Sequence, residues 1–197
     1  MTPFLIAFEG LDQSGKQTQA ERLAAWLTAR GQRVRTVSFP DYETPIGREI
    51  AGALGGDREY GADVMQLLYV ANRYEWKPAI ERALAGGEVV LSDRYLASSV
   101  AYGEAQGLDP AWLLEIQRFL PQPDLTVFLD IVPETAVGRK ATGRDRYERD
   151  LALLGRVRES YHRQARQPDW LRFDGERSVG MVSDEVISAV STRFALR

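Results

Sequence analysis

Two rhythms of apolar and polar positions run along this chain. Phe4 to Phe8, FLIAF, is an apolar run that turns at Gly10 and reads as a strand. Ala20, Leu23, Ala24 and Leu27 then recur at helical spacing, with Gly31 as the stop. Val34 to Phe39 is a short β-branched run closed by Pro40, a second strand. Asp41 to Thr44 reads as a loop, and a short helix follows through Arg48 to Leu54, ending at Gly55 and Gly56. From Asp63, a candidate cap, a long helix carries Met65, Leu68, Tyr69, Asn72, Arg73 and Trp76, and Pro78 is expected to break or restart it before Gly86 and Gly87.

Val89 to Leu91 is another fully apolar strand, with Ser92, Asp93 and Arg94 at its carboxyl end. A helix carries Ser98, Ala101 and Tyr102; Asp109 and Pro110 look like the cap and first residue of the next; Asp124 to Asp130, DLTVFLD, is a further strand. Pro133 starts a helix that gives way to Gly138–Asp150, a long helix runs through Tyr161, Trp170 to Phe173 is a short strand, and Val182, Val186, Val190 and Phe194 stand in register on a last helix. Strands alternating with helices predict a parallel central sheet flanked by helices on both faces, with the ligand crevice outside the carboxyl ends of the strands. That rim collects Gly10 to Thr18, Pro40, Asp93, Arg94 and Asp130.

Composition narrows this picture. The 197 residues suit one domain over 1–197, with a small lid at about 138–150. A formal charge of −3 supplies no broad basic field, so no nucleic acid polymer is expected as a partner. The absence of cysteine excludes disulfides and thiolate chemistry, and the one histidine, His162, rules out a histidine-rich metal site and is expected to be structural. The start, MTPFLIAFEG, has no basic leader, and no run approaches the ~20 apolar residues of a membrane span, so the expected location is cytoplasmic with no membrane partner.

The chemistry begins at Gly10, Leu11, Asp12, Gln13, Ser14, Gly15, Lys16, Gln17 and Thr18. Small residues let successive backbone N–H groups turn inward around phosphate oxygens, the next helix aims its positive end at the same anion, and Lys16 adds a mobile charge. Where this loop pattern calls for a hydroxyl ligand to Mg²⁺ the chain has Gln17, and Thr18 one place on points about 100° away around the helix.

Other clusters keep two readings. Arg94 can fork onto an acceptor phosphate while Asp93 orients Mg²⁺ or its waters, or the two form a surface ion pair. Tyr69 and Arg73, four apart on one helix face, can clamp a nucleobase, or the ring merely covers an exposed arginine. Arg139, Lys140, Arg144, Arg146 and Arg149 can close over a nucleotide, or are a solvated face that Asp145, Glu148 and Asp150 partly neutralise.

Taken together, FEGLDQSGKQTQ, SFP (Ser38–Pro40), LLYVANR (Leu67–Arg73), SDRYLASSVAY (Ser92–Tyr102), PDLTVFLD (Pro123–Asp130) and GRDRYERD (Gly143–Asp150) make the chain resemble the thymidylate kinase family. The resemblance implies a P-loop kinase three-layer fold with a small helical lid, phosphorylation of dTMP to dTDP by ATP with Mg²⁺, and a homodimer. It implies that Asp12 meets the sugar 3′-hydroxyl, Phe39 and Pro40 wall the monophosphate site, Tyr69 takes the place of a Phe that stacks on thymine, Arg73 contacts a base carbonyl and Arg94 holds the dTMP phosphate. Ser98 and Ser99 fall where the family reads the base edge, and Tyr102 where it crowds the 2′ position. With Gln13 at the loop position where some members carry arginine, Arg144 or Arg146 becomes the implied lid donor. Gln17 departs from the family at a metal ligand, and Asp41 with Tyr42 sets an acid where an arginine often assists the monophosphate. The alternatives are another P-loop kinase of nucleosides or nucleotides, or a non-catalytic sensor derived from one.

Overall fold

The computed structural model describes residues 3–139 and 150–196. Five parallel strands, β1 (Leu5–Glu9), β2 (Val34–Ser38), β3 (Val89–Asp93), β4 (Leu125–Asp130) and β5 (Trp170–Asp174), lie in the order β2-β3-β1-β4-β5. Central β1 and β4 are buried along their whole length, which is why their sequences are mostly apolar, whereas edge strands β2 and β5 keep exposed positions. The period of two in β1 divides the core. Ile6 and Phe8 pack with Leu23 and Leu27 of α1 (Lys16–Thr28) and Val182, Val186 and Val190 of α8 (Val179–Arg193). Leu5 and Ala7 face Ile80 and Ala83 of α3 (Ala62–Ala85), and β4 turns Phe128 toward Leu154 and Tyr161 of α7 (Leu151–Gln164). The remaining helices are α2 (Pro45–Gly55), α4 (Leu96–Ala105), α5 (Pro110–Glu115) and α6 (Pro133–Arg139).

Pro78 does not break α3, which runs unbroken for 24 residues. Burial of Met65 and Val70 before the proline and Ile80 and Ala83 after it holds both halves on one axis, outweighing the roughly 3 kcal/mol of a mid-helix proline. Asp63 is not the cap either. Gly61 takes that place, and Asp63 folds back inside the first turn, its Oδ1 accepting from the Val64 N–H at 2.9 Å. Phe194 lies just past α8, stacked on Phe4 with ring centroids 3.9 Å apart.

The topology makes the crevice. β1 sends its crossover toward β2 while neighbouring β4 sends its own toward β5, so a gap opens at their carboxyl ends. Register aligns Phe8 with Asp93, Asp93 with Ser38, and Glu9 with Phe128 along that edge.

Candidate active site

The loop from Gly10 to Thr18 crosses the end of β4 so closely that a Cβ on Gly10 would stand 2.4 Å from the Leu129 carbonyl oxygen. Only glycine fits there, and its φ of 142° suits no other residue. Gly15, at φ 94°, hands the chain to α1 with no side chain capping the helix, leaving its first N–H groups to face the cleft. Lys16 is buried and its Nζ donates to the Leu11 carbonyl at 2.8 Å. Burial pulls its ammonium down to about 8, with the Arg94 charge adding to the effect and Asp93, Asp12 and Glu9 opposing it.

Arg94, left-handed at φ 61°, turns its guanidinium back into this crevice. Nη1 donates to the Gly10 carbonyl (3.1 Å), Ser98 Oγ (3.1 Å) and the Tyr161 hydroxyl (3.4 Å); Nη2 donates to Asp12 Oδ1 (2.7 Å) and the Tyr102 hydroxyl (3.4 Å). Burial alone would raise the Asp12 carboxyl, but the charges of Arg94 and Lys16 and hydrogen bonds from Arg94 and Tyr102 hold it well below the usual carboxylate range. The Asp93–Arg94 surface pair is not formed: Arg94 pairs with Asp12, and the buried Asp93 Oδ1 has no hydrogen-bond partner among the described residues.

Below Arg94 lies a cavity of about 90 Å³ lined by Phe39, Pro40, Tyr69, Arg73, Ser99 and Tyr102, among others. Phe39 reaches it because its N–H donates to the Asp93 carbonyl at 2.9 Å, extending β2 along β3. Arg73 is buried, not exposed beneath a covering tyrosine. It donates to Ser99 Oγ (2.7 Å) and Gln117 Oε1 (3.4 Å), and its Cζ stands 5.9 Å from the Phe39 ring centroid. Burial draws it down to about 10, against the pull of Glu9, so it remains charged at neutral pH. Beyond Arg94 a polar cavity of about 590 Å³ is lined by the phosphate loop, Asp93, Arg139, Gly175 and Arg177. The two cavities share Asp12, Phe39, Pro40, Tyr42 and Arg94 as walls.

Several members of the site escape sequence reasoning. Glu9 is fully buried and accepts from the Tyr95 and Ser98 N–H groups (2.8 and 3.2 Å), Ser98 Oγ (2.6 Å) and the Tyr161 hydroxyl (2.9 Å). It thereby caps α4 from a neighbouring strand and fixes two of the oxygens that receive Arg94. The one available signal was a carboxylate inside an apolar strand. Asp41, which the sequence sets near the monophosphate, turns away: Oδ2 accepts from Trp76 Nε1 (2.8 Å) and Oδ1 from the Glu43 N–H (3.0 Å). Asp130 sits on the strand rim as expected but belongs to a separate cluster, ion-paired with Arg158 and Arg172, with His162 Nε2 3.2 Å from its Oδ2.

Of the five basic residues from Arg139 to Arg149, Arg139 alone is described; Lys140, Arg144, Arg146 and Arg149 lie outside the described residues. Arg139 donates to the carbonyls of Gln13 and Gly175, both at 3.0 Å, and so ties α6 to the phosphate loop. Gln17 is exposed, its Nε2 donating to Glu21 Oε1 at 2.8 Å, and Thr18 is exposed beside it.

Comparison with known proteins fits this two-cavity cleft. The family model described as thymidylate kinase matches residues 8–186. The chain belongs to the thymidylate kinase family. It is 32% identical to the Schizosaccharomyces pombe thymidylate kinase, covering 95% of this chain and 91% of that one. Against the Homo sapiens thymidylate kinase the identity is 32%, over 92% and 87%, and against the probable thymidylate kinase of Pyrococcus abyssi it is 36%, over 96% and 97%. The solved thymidylate kinase of Candida albicans superimposes with a TM-score of 0.88 at 29% identity, covering all of this chain and 94% of that one. The three-layer architecture described above is accordingly that of a P-loop kinase, and the chain is a nucleoside monophosphate kinase that converts dTMP to dTDP.

Proposed function

We propose that in this dTMP kinase the cavity under Tyr69 and Arg73 receives dTMP, the phosphate loop receives ATP with Mg²⁺, and Arg94 spans the two. The shared wall carries this reading: Arg94 contacts the Gly10 carbonyl of the loop and borders both cavities. The whole chain then acts as one kinase domain with its lid at about 138–150. The family resemblance adds a cytoplasmic homodimer, and no helix among the described residues is long and apolar enough to cross a membrane.

A monophosphate with its second pKa near ~6 is largely dianionic at neutral pH, so its oxygen attacks without a general base. Catalysis is positioning and charge neutralisation. Arg94 holds the acceptor phosphate and Asp12 keeps its fork turned toward that anion. Lys16 exchanges the Leu11 carbonyl for phosphate oxygens of the donor, and Arg144 or Arg146 supplies lid charge. Tyr69 stacks on the base, Arg73 donates to its carbonyl, Ser98 and Ser99 lie along its edge, and Tyr102 crowds the 2′ position.

A bound Mg²⁺ would supply positive charge against the negative charge of the nucleotide phosphates. The buried Asp93 Oδ1, without a hydrogen-bond partner among the described residues, would suit a metal-bound water, and the Thr18 hydroxyl beside Gln17 on the same cavity wall would be a further oxygen donor. Steady-state assays with dTMP, dUMP, dCMP, dAMP and thymidine test the assignment: saturation with dTMP and release of ADP are expected, and saturation by thymidine in its place overturns it.

A further inference from the structure

Gln66 stands on α3 three residues before Tyr69 and seven before Arg73, so the three side chains leave the helix on one face, and all three line the smaller cavity. Gln66 is fully buried, and neither Nε2 nor Oε1 has a hydrogen-bond partner among the described residues. Burying an amide with both ends unmet weakens folding, and an apolar side chain of equal size would fill the space without that cost. The amide therefore needs a partner that enters the cavity. Its stem is closely fitted: a Cβ on Gly103 would already stand 3.3 Å from Gln66 Cγ.

The other polar groups lining this depth already have partners. Arg73 carries donors only, and Ser99 Oγ already accepts from it at 2.7 Å. Ser98 Oγ is engaged with Glu9 and Arg94. A thymine edge presents an N3–H donor flanked by two carbonyl acceptors. Arg73 suits a carbonyl but offers nothing to the N–H, whereas a primary amide sets one acceptor beside one donor and matches an imide in two parallel hydrogen bonds. We propose that Gln66 is a specificity-determining residue that reads the pyrimidine imide, Oε1 accepting from N3–H and Nε2 donating to an adjacent carbonyl. This rests on the reading that the cavity takes the base of dTMP.

Saturation of the wild-type enzyme by dTMP, measured first, tests that underlying reading. Gln66→Met then removes both polar atoms while nearly preserving volume. The KM for dTMP should rise about tenfold with kcat within about threefold, and the melting temperature should hold or increase. The preference of the wild type for dTMP over N3-methyl-dTMP should shrink by about the same factor. A KM that stays put, or an N3-methyl preference identical in the two proteins, overturns the proposal. Should Gln66→Met fail to fold, the Gln66 side-chain NH₂ resonances of the wild type decide. They should move with dTMP and stay in place with 2-deoxyribose 5-phosphate; resonances that do not respond to the base overturn it.

Discussion

Arg94 separates two walls built in different ways. On the loop side, nine consecutive residues wrap their own main chain around the cleft, with glycines where a Cβ would strike Leu129 or where φ is positive, and a single lysine adds charge. On the base side the wall is made of side chains from α3, α4 and the β2 end, several of them oriented by another, Arg73 by Ser99 and Gln117 and Ser98 by Glu9, and Asp12 reaches in from the loop, held by Arg94 and Tyr102. A backbone wall recognises what all nucleoside phosphates share. A side-chain wall recognises one base, and its precision depends on buried hydrogen-bond networks in which every member is placed by the fold.

Arg94 belongs to both walls, so Arg94→Ala should cost most, lowering kcat/KM for dTMP by about 10²–10³-fold, since it removes a donor to the charge in transfer and the guanidinium that Asp12 pairs with. A loss confined to KM would mean that Arg94 serves the base side alone. Arg146→Ala should come next, reducing kcat by about 10²-fold while moving the KM for dTMP far less; an unchanged kcat removes Arg146 from the lid role. On the base side, Tyr69→Ala should raise the KM for dTMP by roughly tenfold to a hundredfold through lost stacking, and Tyr69→Phe should restore it.

The smallest effect tests the loop side. With its ammonium drawn down to about 8, Lys16 is about half protonated at pH 8, and an arriving polyphosphate restores the full charge, so binding should take up about half a proton. Calorimetry at pH 8 in buffers of different ionisation enthalpy measures this, and Lys16→Met should abolish it. The stability sign follows from the same shift. Below pH 8 both folded and unfolded chains hold the proton and burial of the charge costs stability; between about 8 and 10.5 the folded chain releases it first, and that cost is relieved as pH rises.

Local order fixed the loop side before any fold was known. The apolar strand, the Gly10 and Gly15 spacing and the helix after Lys16 sufficed, because a main-chain cradle needs only small residues in sequence. The five strands and their parallel sense were likewise legible from apolar runs alternating with helical periodicity, whereas their order in the sheet was not. Errors occurred where packing outweighed local preference, as at Pro78, or where side chains chose distant partners. Asp93 yields Arg94 to Asp12, and Asp41 turns to Trp76. The sequence alone determined the strand rhythm, the phosphate loop and, through scattered segments, the family. Only the tertiary structure decided that Glu9 of β1 caps α4, that Arg73 is buried rather than exposed, and that Gln66 has no hydrogen-bond partner among the described residues. Such facts depend on which side chains meet across elements far apart in the chain, and periodicity within one segment carries no information about the groups facing it from another.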